Sequence, residues 1–135
     1  MQKEQVLSKR LGVIHFPCMA QYKTNSQLFA EALKAGKEKN YEKAVNNLEK
    51  IVSETEEIPE ALLYLGRSYH ALGKYEKSIG VYKHFILRCP GESVGYFFLG
   101  RTYLTLKMED YALRYLRKAY DLDSANPQIL GLLGL

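Results

Sequence analysis

Apolar residues recur at helical spacing along most of the chain. In the middle third they are three, four and three residues apart, at Leu62, Leu65, Tyr69 and Leu72. This spacing places them on one face of an α-helix. After a break at Gly73-Lys74 a second apolar face follows, made by Ile79, Tyr82, Phe85 and Ile86. The pattern predicts two amphipathic helices separated by a tight turn.

Similar helical stretches and short breaks extend in both directions and predict an all-α chain. We expect helices at 26–37, 41–53, 59–72, 75–88, 93–106 and 109–122, with a seventh beginning at 127. Thr24 and Gln27 have the spacing of a capping box before the first helix. Pro59 and Pro127 suit a first helical turn, where no backbone donor is required. Because the breaks within each pair are short, the two helices of a pair should be antiparallel.

A short motif in the middle of the chain returns at a fixed interval. Leu65-Gly66 and Leu99-Gly100 are 34 positions apart, and Leu133-Gly134 follows after the same interval. A period of this length is typical of stacked structural repeats. We therefore divide the chain into an N-terminal segment, three repeat units and a partial fourth unit, at 1–24, 25–58, 59–92, 93–126 and 127–135.

Two positions of the 34-residue unit hold small residues in every copy. Position 8 is occupied by Ala32, Gly66, Gly100 and Gly134, and position 20 by Ala44, Ser78 and Ala112. Small side chains at these places predict that the two helices of a unit approach closely there. Larger apolar residues at position 24 should fill the space between units, at Leu48, Tyr82 and Leu116.

The repeat resembles the tetratricopeptide repeat (TPR) family. In unit two the resemblance depends on Leu65, Gly66, Tyr69, Ser78, Tyr82 and Pro90. In unit three it depends on Tyr96, Leu99, Gly100, Tyr103, Ala112, Leu116 and Ala119. It covers residues 25–135 and implies a right-handed superhelical solenoid of antiparallel helix pairs. Members of the family are typically scaffolds that hold a peptide or helix of another protein, and they are rarely enzymes.

Unit one and position 27 depart from the family pattern. Unit one has Glu31 and Ala35 where the family usually has Leu and Tyr. Position 27 is usually Ala but is Ile51 in unit one and Phe85 in unit two. We therefore expect a degenerate first unit, and a wider gap between helices at position 27.

The resemblance also implies which residues face a concave groove lined by the first helix of each pair. The candidate groove residues are Phe29, Leu33, Leu63, Tyr64, Arg67, His70, Phe97, Phe98 and Arg101. They form an apolar and aromatic surface with arginines at its rim. Such a surface fits an amphipathic helix or an extended apolar segment. Aromatic and arginine side chains are also the usual anchors of binding energy.

One subclass of the family binds the C-terminal carboxylate of chaperone tails through lysine, asparagine and arginine. The corresponding positions in this chain are Phe29, Leu33, Tyr64, Val94 and Phe98. A carboxylate requires charged donors, and none of these five side chains supplies one. We therefore do not expect binding of chaperone tails.

Two alternatives to a foreign partner remain open. The N-terminal residues 5–22 are apolar enough to dock in the groove of their own or a neighbouring copy, which would make the chain a self-assembling module. The apolar C-terminal half-unit, PQILGLLGL, could likewise form a homo-oligomer or pair with further repeats. A longer chain would also permit a third function, as an auxiliary region of a larger enzyme.

The charge distribution argues against nucleic acid as a partner. The net charge is +4 over 135 residues. Residues 1–24 have four basic residues and one acidic residue, so the repeats themselves are nearly neutral. A nucleic-acid surface normally requires a one-sided basic field. No apolar run reaches the about 18 residues of a membrane span.

The chain offers little for catalysis or metal binding. His15 with Cys18 and His84 with Cys89 do not supply the four converging ligands of a zinc site. No phosphate-binding glycine motif occurs, and we predict a non-catalytic protein without cofactors. Two cysteines are too few for a disulfide framework. Because His15 and Pro17 also interrupt the one apolar stretch resembling a signal peptide, we expect a cytoplasmic location.

Overall fold

A computed structural model describes residues 23–135, which form seven α-helices. The predictions for residues 1–22, including docking of that segment and the roles of His15 and Cys18, lie outside the described residues. The helices are α1 (Asn25–Lys37), α2 (Tyr41–Glu54), α3 (Glu60–Ala71), α4 (Tyr75–Arg88), α5 (Ser93–Thr105), α6 (Glu109–Leu122) and α7 (Pro127–Leu133). Each lies within one residue of its predicted bounds.

The predicted capping box fixes the start of α1. The hydroxyl of Thr24 accepts a hydrogen bond from the backbone N–H of Gln27 at 3.1 Å. The side-chain oxygen of Gln27 accepts in return from the Thr24 N–H at 2.8 Å. These two bonds satisfy backbone donors that have no partner inside the helix.

The turn inside each helix pair has the same backbone conformation in all three units. Lys39, Gly73 and Lys107 are each 34 positions apart and have φ values of 63°, 79° and 62°. This left-handed conformation suits glycine and costs a side-chain-bearing residue about 1 kcal/mol or more. The same tight turn therefore reverses the chain in every unit. Because the break between the two helices is short, the helices of each pair are antiparallel.

The helices stack in chain order as a solenoid of repeats. Each helix packs against the next, and α1 also contacts α3, as α3 contacts α5. The second helices α2, α4 and α6 have no comparable contacts with one another. The stack is therefore closer together on the side of the first helices, which identifies that side as the concave one.

Close packing at positions 8 and 20 is confirmed by the structure. A Cβ atom at Gly66 would lie 2.7 Å from Cδ1 of Tyr82, and one at Gly100 would lie 2.7 Å from Cγ of Leu116. The Ser78 hydroxyl, at position 20, donates a hydrogen bond to the Gly66 carbonyl at 2.8 Å. In units two and three the close approach of the two helices therefore leaves little room for a side chain at Gly66 and Gly100.

The expectation of a wider gap at position 27 is wrong. Phe85 is buried against Gly95, where an added Cβ atom would lie 2.8 Å from Cδ2 of the Phe85 ring. In the preceding unit Ile51 is buried in the same cluster as Ala61, which occupies the position equivalent to Gly95. The large residue is accommodated by a small one on the facing helix.

The C-terminal helix α7 contacts α6. Its Ile129 is fully buried in a cluster with Leu116 and Ala119 of α6. Among the seven helices of residues 23–135, none has the length and apolar character needed to cross a membrane.

Candidate functional site

Aromatic rings from three consecutive units meet on the concave side of the stack. Phe29 of α1 contacts Tyr64 of α3 edge to face, with ring centroids 5.7 Å apart. On α5, Phe97 and Phe98 contact each other with centroids 5.1 Å apart. We call these four residues the aromatic row. They were all predicted as groove residues.

Two arginines connect the members of the aromatic row. The guanidinium carbon of Arg67 lies 5.5 Å from the Tyr64 ring centroid and 5.2 Å from that of Phe98. The guanidinium carbon of Arg101 lies 4.9 Å from the Phe98 centroid and 5.8 Å from that of Phe97. These are cation–π distances, so the arginines lie over the rings and not only at the rim.

The predicted groove residues differ in exposure. Arg67 is exposed, and seven others are half-buried: Phe29, Leu33, Leu63, Tyr64, His70, Phe98 and Arg101. Phe97 is only 7% exposed and packs in the cluster that contains Ile129 of α7. Phe97 therefore supports the groove from below, and a ligand would contact its neighbours first.

The two arginines of the predicted groove, Arg67 and Arg101, are not neutralised by ion pairs within residues 23–135. The ion pairs in this part of the chain are Lys23–Glu31 and Arg88–Glu56. The Nε of Arg101 is buried without a hydrogen-bond partner within the same residues.

His70 is held in place by side chains of two neighbouring helices. Its Nδ1 lies 3.0 Å from the hydroxyl of Thr102, which itself donates to the Phe98 carbonyl at 2.9 Å. Thr102 is fully buried, so its hydroxyl is not available to a substrate. The ring also meets Tyr75 edge to face, with centroids 5.0 Å apart. The contacts explain His70 as a link between α3 and α5.

The surroundings of His70 make the stability of the fold depend on pH. Burial, and secondly the charge of Arg101, lower the pKa of His70 from its ordinary 6.5. The unfolded chain therefore takes up this proton at a higher pH than the folded chain. The free energy of unfolding should fall as the pH drops below the unfolded pKa, until the folded pKa is reached.

We expect His70→Asn to reduce this pH dependence. Urea denaturation of the wild type and the variant between about pH 8 and pH 5 measures it. The wild type should lose more stability across this interval than the variant. Parallel curves would show that His70 takes up its proton equally in both states.

One supporting residue of the groove was assigned by the sequence only to the core. Tyr82 of α4 is fully buried and stacks on Phe98, with centroids 5.8 Å apart and ring planes 14° apart. Burial raises the pKa of Tyr82 to about 12. The helical spacing of Tyr82 predicted burial correctly, but it could not identify Phe98 as the partner.

A second apolar surface lies where α6 and α7 meet. Leu113 and Leu122 of α6 are exposed, as are Leu132 and Leu135, the last with 76% of its surface accessible. A shallow depression here is lined by Leu113, Arg117, Tyr120, Asp121, Leu133 and Leu135. This is the surface for which the sequence predicted homo-oligomer contacts or further repeats, and that prediction stays open.

Residues 23–135 contain no cluster of three His, Cys, Asp or Glu side chains that could hold a metal ion. Within the same range Cys89 is half-buried and forms no disulfide.

Comparison with known protein families matches two of the three full units. Two tetratricopeptide repeat models match residues 60–91 and residues 95–126. The chain therefore contains tetratricopeptide repeats. The matched TPR units are units two and three. Unit one also forms a helix pair, although it has Glu31 and Ala35 where the family usually has Leu and Tyr. No curated protein matches the sequence significantly.

Solved structures with the same TPR architecture cover most of the chain. PcrH in complex with the chaperone-binding region of PopB is 22% identical, with a TM-score of 0.73 over 82% of this chain and 89% of that one. The first TPR domain of Spaghetti (RPAP3), bound to the HSP90 peptide SRMEEVD, is 15% identical, with a TM-score of 0.77 over 82% and 87%. The Sgt2 TPR domain from Aspergillus fumigatus is 20% identical, with a TM-score of 0.76 over 82% and 74%. At these identities the likeness establishes the fold.

Proposed function

We propose that this protein is a non-catalytic scaffold that binds an apolar or amphipathic segment of another protein in its concave groove. The aromatic row is the observation that carries the proposal. It crosses three consecutive units and ends in half-buried rings beside an exposed arginine. A partner segment lying along it would contact α1, α3 and α5 at once.

The energetics of such a surface favour binding. The rings are already held in place by edge-to-face contacts and by stacking on Tyr82. Little side-chain freedom is therefore lost when a ligand covers them, which lowers the entropic cost of association. Rigid aromatic and arginine side chains are the residue types that dominate binding energy at interfaces.

Two of the similar structures contain a bound peptide or chaperone-binding region, from HSP90 and from PopB. These two complexes support the proposal that the groove of this chain binds a peptide segment. The partner of this chain should differ from the HSP90 tail, because Phe29, Leu33, Tyr64, Val94 and Phe98 occupy the positions at which the tail-binding subclass has charged or amide donors.

We expect Tyr64→Asp to abolish capture of partner proteins from a cell lysate by the immobilised full chain. A buried carboxylate beside apolar ligand atoms is strongly unfavourable, and Tyr64 is half-buried at the centre of the row. Tyr111→Asp is the matched control, since Tyr111 is an exposed tyrosine on α6, outside the first helices. Circular dichroism confirms that both variants are folded.

Partners lost with Tyr64→Asp and kept with Tyr111→Asp would support the groove as the binding site. The proposal fails if both folded variants capture the same partners as the wild type. In that case the binding surface lies on the convex side or at the termini.

A further inference from the structure

We propose that the partner segment carries an acidic side chain, and that Arg67 and Arg101 together hold its carboxylate. This inference rests on the proposed function, because it specifies the chemistry of the ligand in the same groove. Arg67 and Arg101 occupy position 9 of units two and three. Two neighbouring helices therefore present equivalent guanidinium groups to one place.

Both guanidinium groups converge on a single ring. Their carbons lie 5.2 Å and 4.9 Å from the Phe98 ring centroid. Each contacts a further ring as well, Tyr64 for Arg67 and Phe97 for Arg101. Because both carbons lie near one centroid, the two guanidinium groups are no more than about 10 Å apart before a ligand arrives.

Neither of these cations is paired with a carboxylate in residues 23–135. The ion pairs of that range involve Lys23 and Arg88, which belong to other parts of the surface. An anion bound between the two guanidinium groups would be attracted by both. The charge of Arg101 also reaches His70, whose pKa it lowers together with burial.

Arg101 is particularly suited to bind an anion. It is half-buried, and its Nε is enclosed without a hydrogen-bond partner in the described part of the chain. The guanidinium has therefore lost part of its hydration on folding. A charge-assisted bond to a carboxylate is stronger in such surroundings than in water, and a guanidinium can make two parallel bonds to it.

The apolar surroundings determine where the acidic residue must lie in the ligand. Tyr64 and Phe98 lie beside the arginines and are half-buried, and half-buried Leu63 packs against the same cluster as Phe98. They would contact apolar ligand side chains next to the carboxylate. A side-chain carboxylate within an amphipathic segment meets both requirements, so we assign the site to an internal Asp or Glu and not to a chain terminus.

The test is selection of random peptides displayed on phage by the immobilised full chain. The displayed peptides are fused through their C-terminus, so that only side-chain carboxylates are presented. The comparison variant combines Arg67→Gln with Arg101→Gln. Arg114→Gln is the matched control, because Arg114 also lies over a tyrosine ring, 5.6 Å from the Tyr111 centroid, but on α6.

We expect the wild type and Arg114→Gln to select peptides in which Asp or Glu adjoins apolar residues. The double variant should lose the preference for acidic residues and keep the apolar ones. For one selected synthetic peptide, Glu→Gln or Asp→Asn should weaken binding to the wild type by about 10- to 100-fold. The same peptide change should have little effect on the double variant, since the two changes remove one interaction.

Apolar selection without acidic residues, or an unchanged affinity of the amide peptide, would overturn the inference and leave the proposed function standing. If the selected peptides bind Tyr64→Asp as well as the wild type, the groove is not the site and both proposals fail. The single variant Arg67→Gln repeats the test should the double variant unfold, because Arg67 is exposed and its loss leaves the core intact.

Discussion

Gly100→Ala should lower the free energy of unfolding by about 1–3 kcal/mol, although alanine is the better helix former. The added Cβ atom would lie 2.7 Å from Cγ of Leu116 and 3.2 Å from the carbonyl oxygen of Ala112. Leu116 is fully buried and cannot turn into solvent. The overpacking should therefore exceed the gain in helix propensity. Urea denaturation followed by circular dichroism measures the change.

Gly80→Ala is the matched control for this prediction. Gly80 also lies inside a helix, but it is exposed, and apart from its chain neighbours and its own helical backbone no atom of residues 23–135 lies within 4 Å of an added Cβ. Here only the helix propensity changes, and the variant should gain up to about 1 kcal/mol. Equal effects at Gly80 and Gly100 would contradict the importance of close helix contact.

A double variant tests the mechanism directly. Leu116→Ala alone should cost about 2–5 kcal/mol, because it leaves a cavity at a fully buried site. The new methyl group of Gly100→Ala would partly occupy that cavity. The combined loss should therefore be smaller than the sum of the single losses, by about 1 kcal/mol or more. Additive losses would show that Gly100 and Leu116 do not compete for the same space.

The repeat made most of the fold predictable from the sequence. Each unit places small residues at the same two positions, and the interval between Gly66 and Gly100 aligns one unit with the next. An error in one helix boundary is corrected by the other copies. The helices therefore agree with prediction within one residue, and unit one could be placed by its interval alone.

Other features depend on contacts between units and were not predictable from periodicity. Phe85 and Gly95 compensate for each other across two neighbouring units, so that an unusual residue at position 27 does not widen the gap. Lys39 and Lys107 have the same left-handed backbone conformation as Gly73. Lysine does not suggest this conformation by itself, so it could be inferred only by aligning the three turns at the 34-residue interval.

The family pattern predicted which residues form the candidate site, but it did not predict how exposed Phe97 is or where the two arginine side chains lie. The family pattern placed Phe97 in the groove, but Phe97 packs in the cluster that contains Leu116 and Ile129 and is only 7% exposed. The arginines were predicted at the rim, whereas both lie over the Phe98 ring. These differences arise because residues on neighbouring helices determine how much of each side chain a ligand can contact.

Tyr82 connects the core with the groove, and for this reason its removal should have the largest effect on stability. The ring lies against Gly66 of α3, stacks on Phe98 of α5 and is fully buried. We expect Tyr82→Ala to lower the free energy of unfolding by about 3–5 kcal/mol, as for other large aromatic residues in a core. Urea denaturation of the full chain measures this loss.

Tyr111→Ala is the control, because Tyr111 is 45% exposed but, like Tyr82, stacks on another aromatic ring, with its centroid 5.2 Å from that of Tyr103. It should cost no more than about 1 kcal/mol. A similarly small loss with Tyr82→Ala would mean that the neighbouring helices close over the cavity. In that event Phe98 would lose its rigid support, and the affinity of the groove for an apolar ligand should fall together with the preorganisation of its central ring.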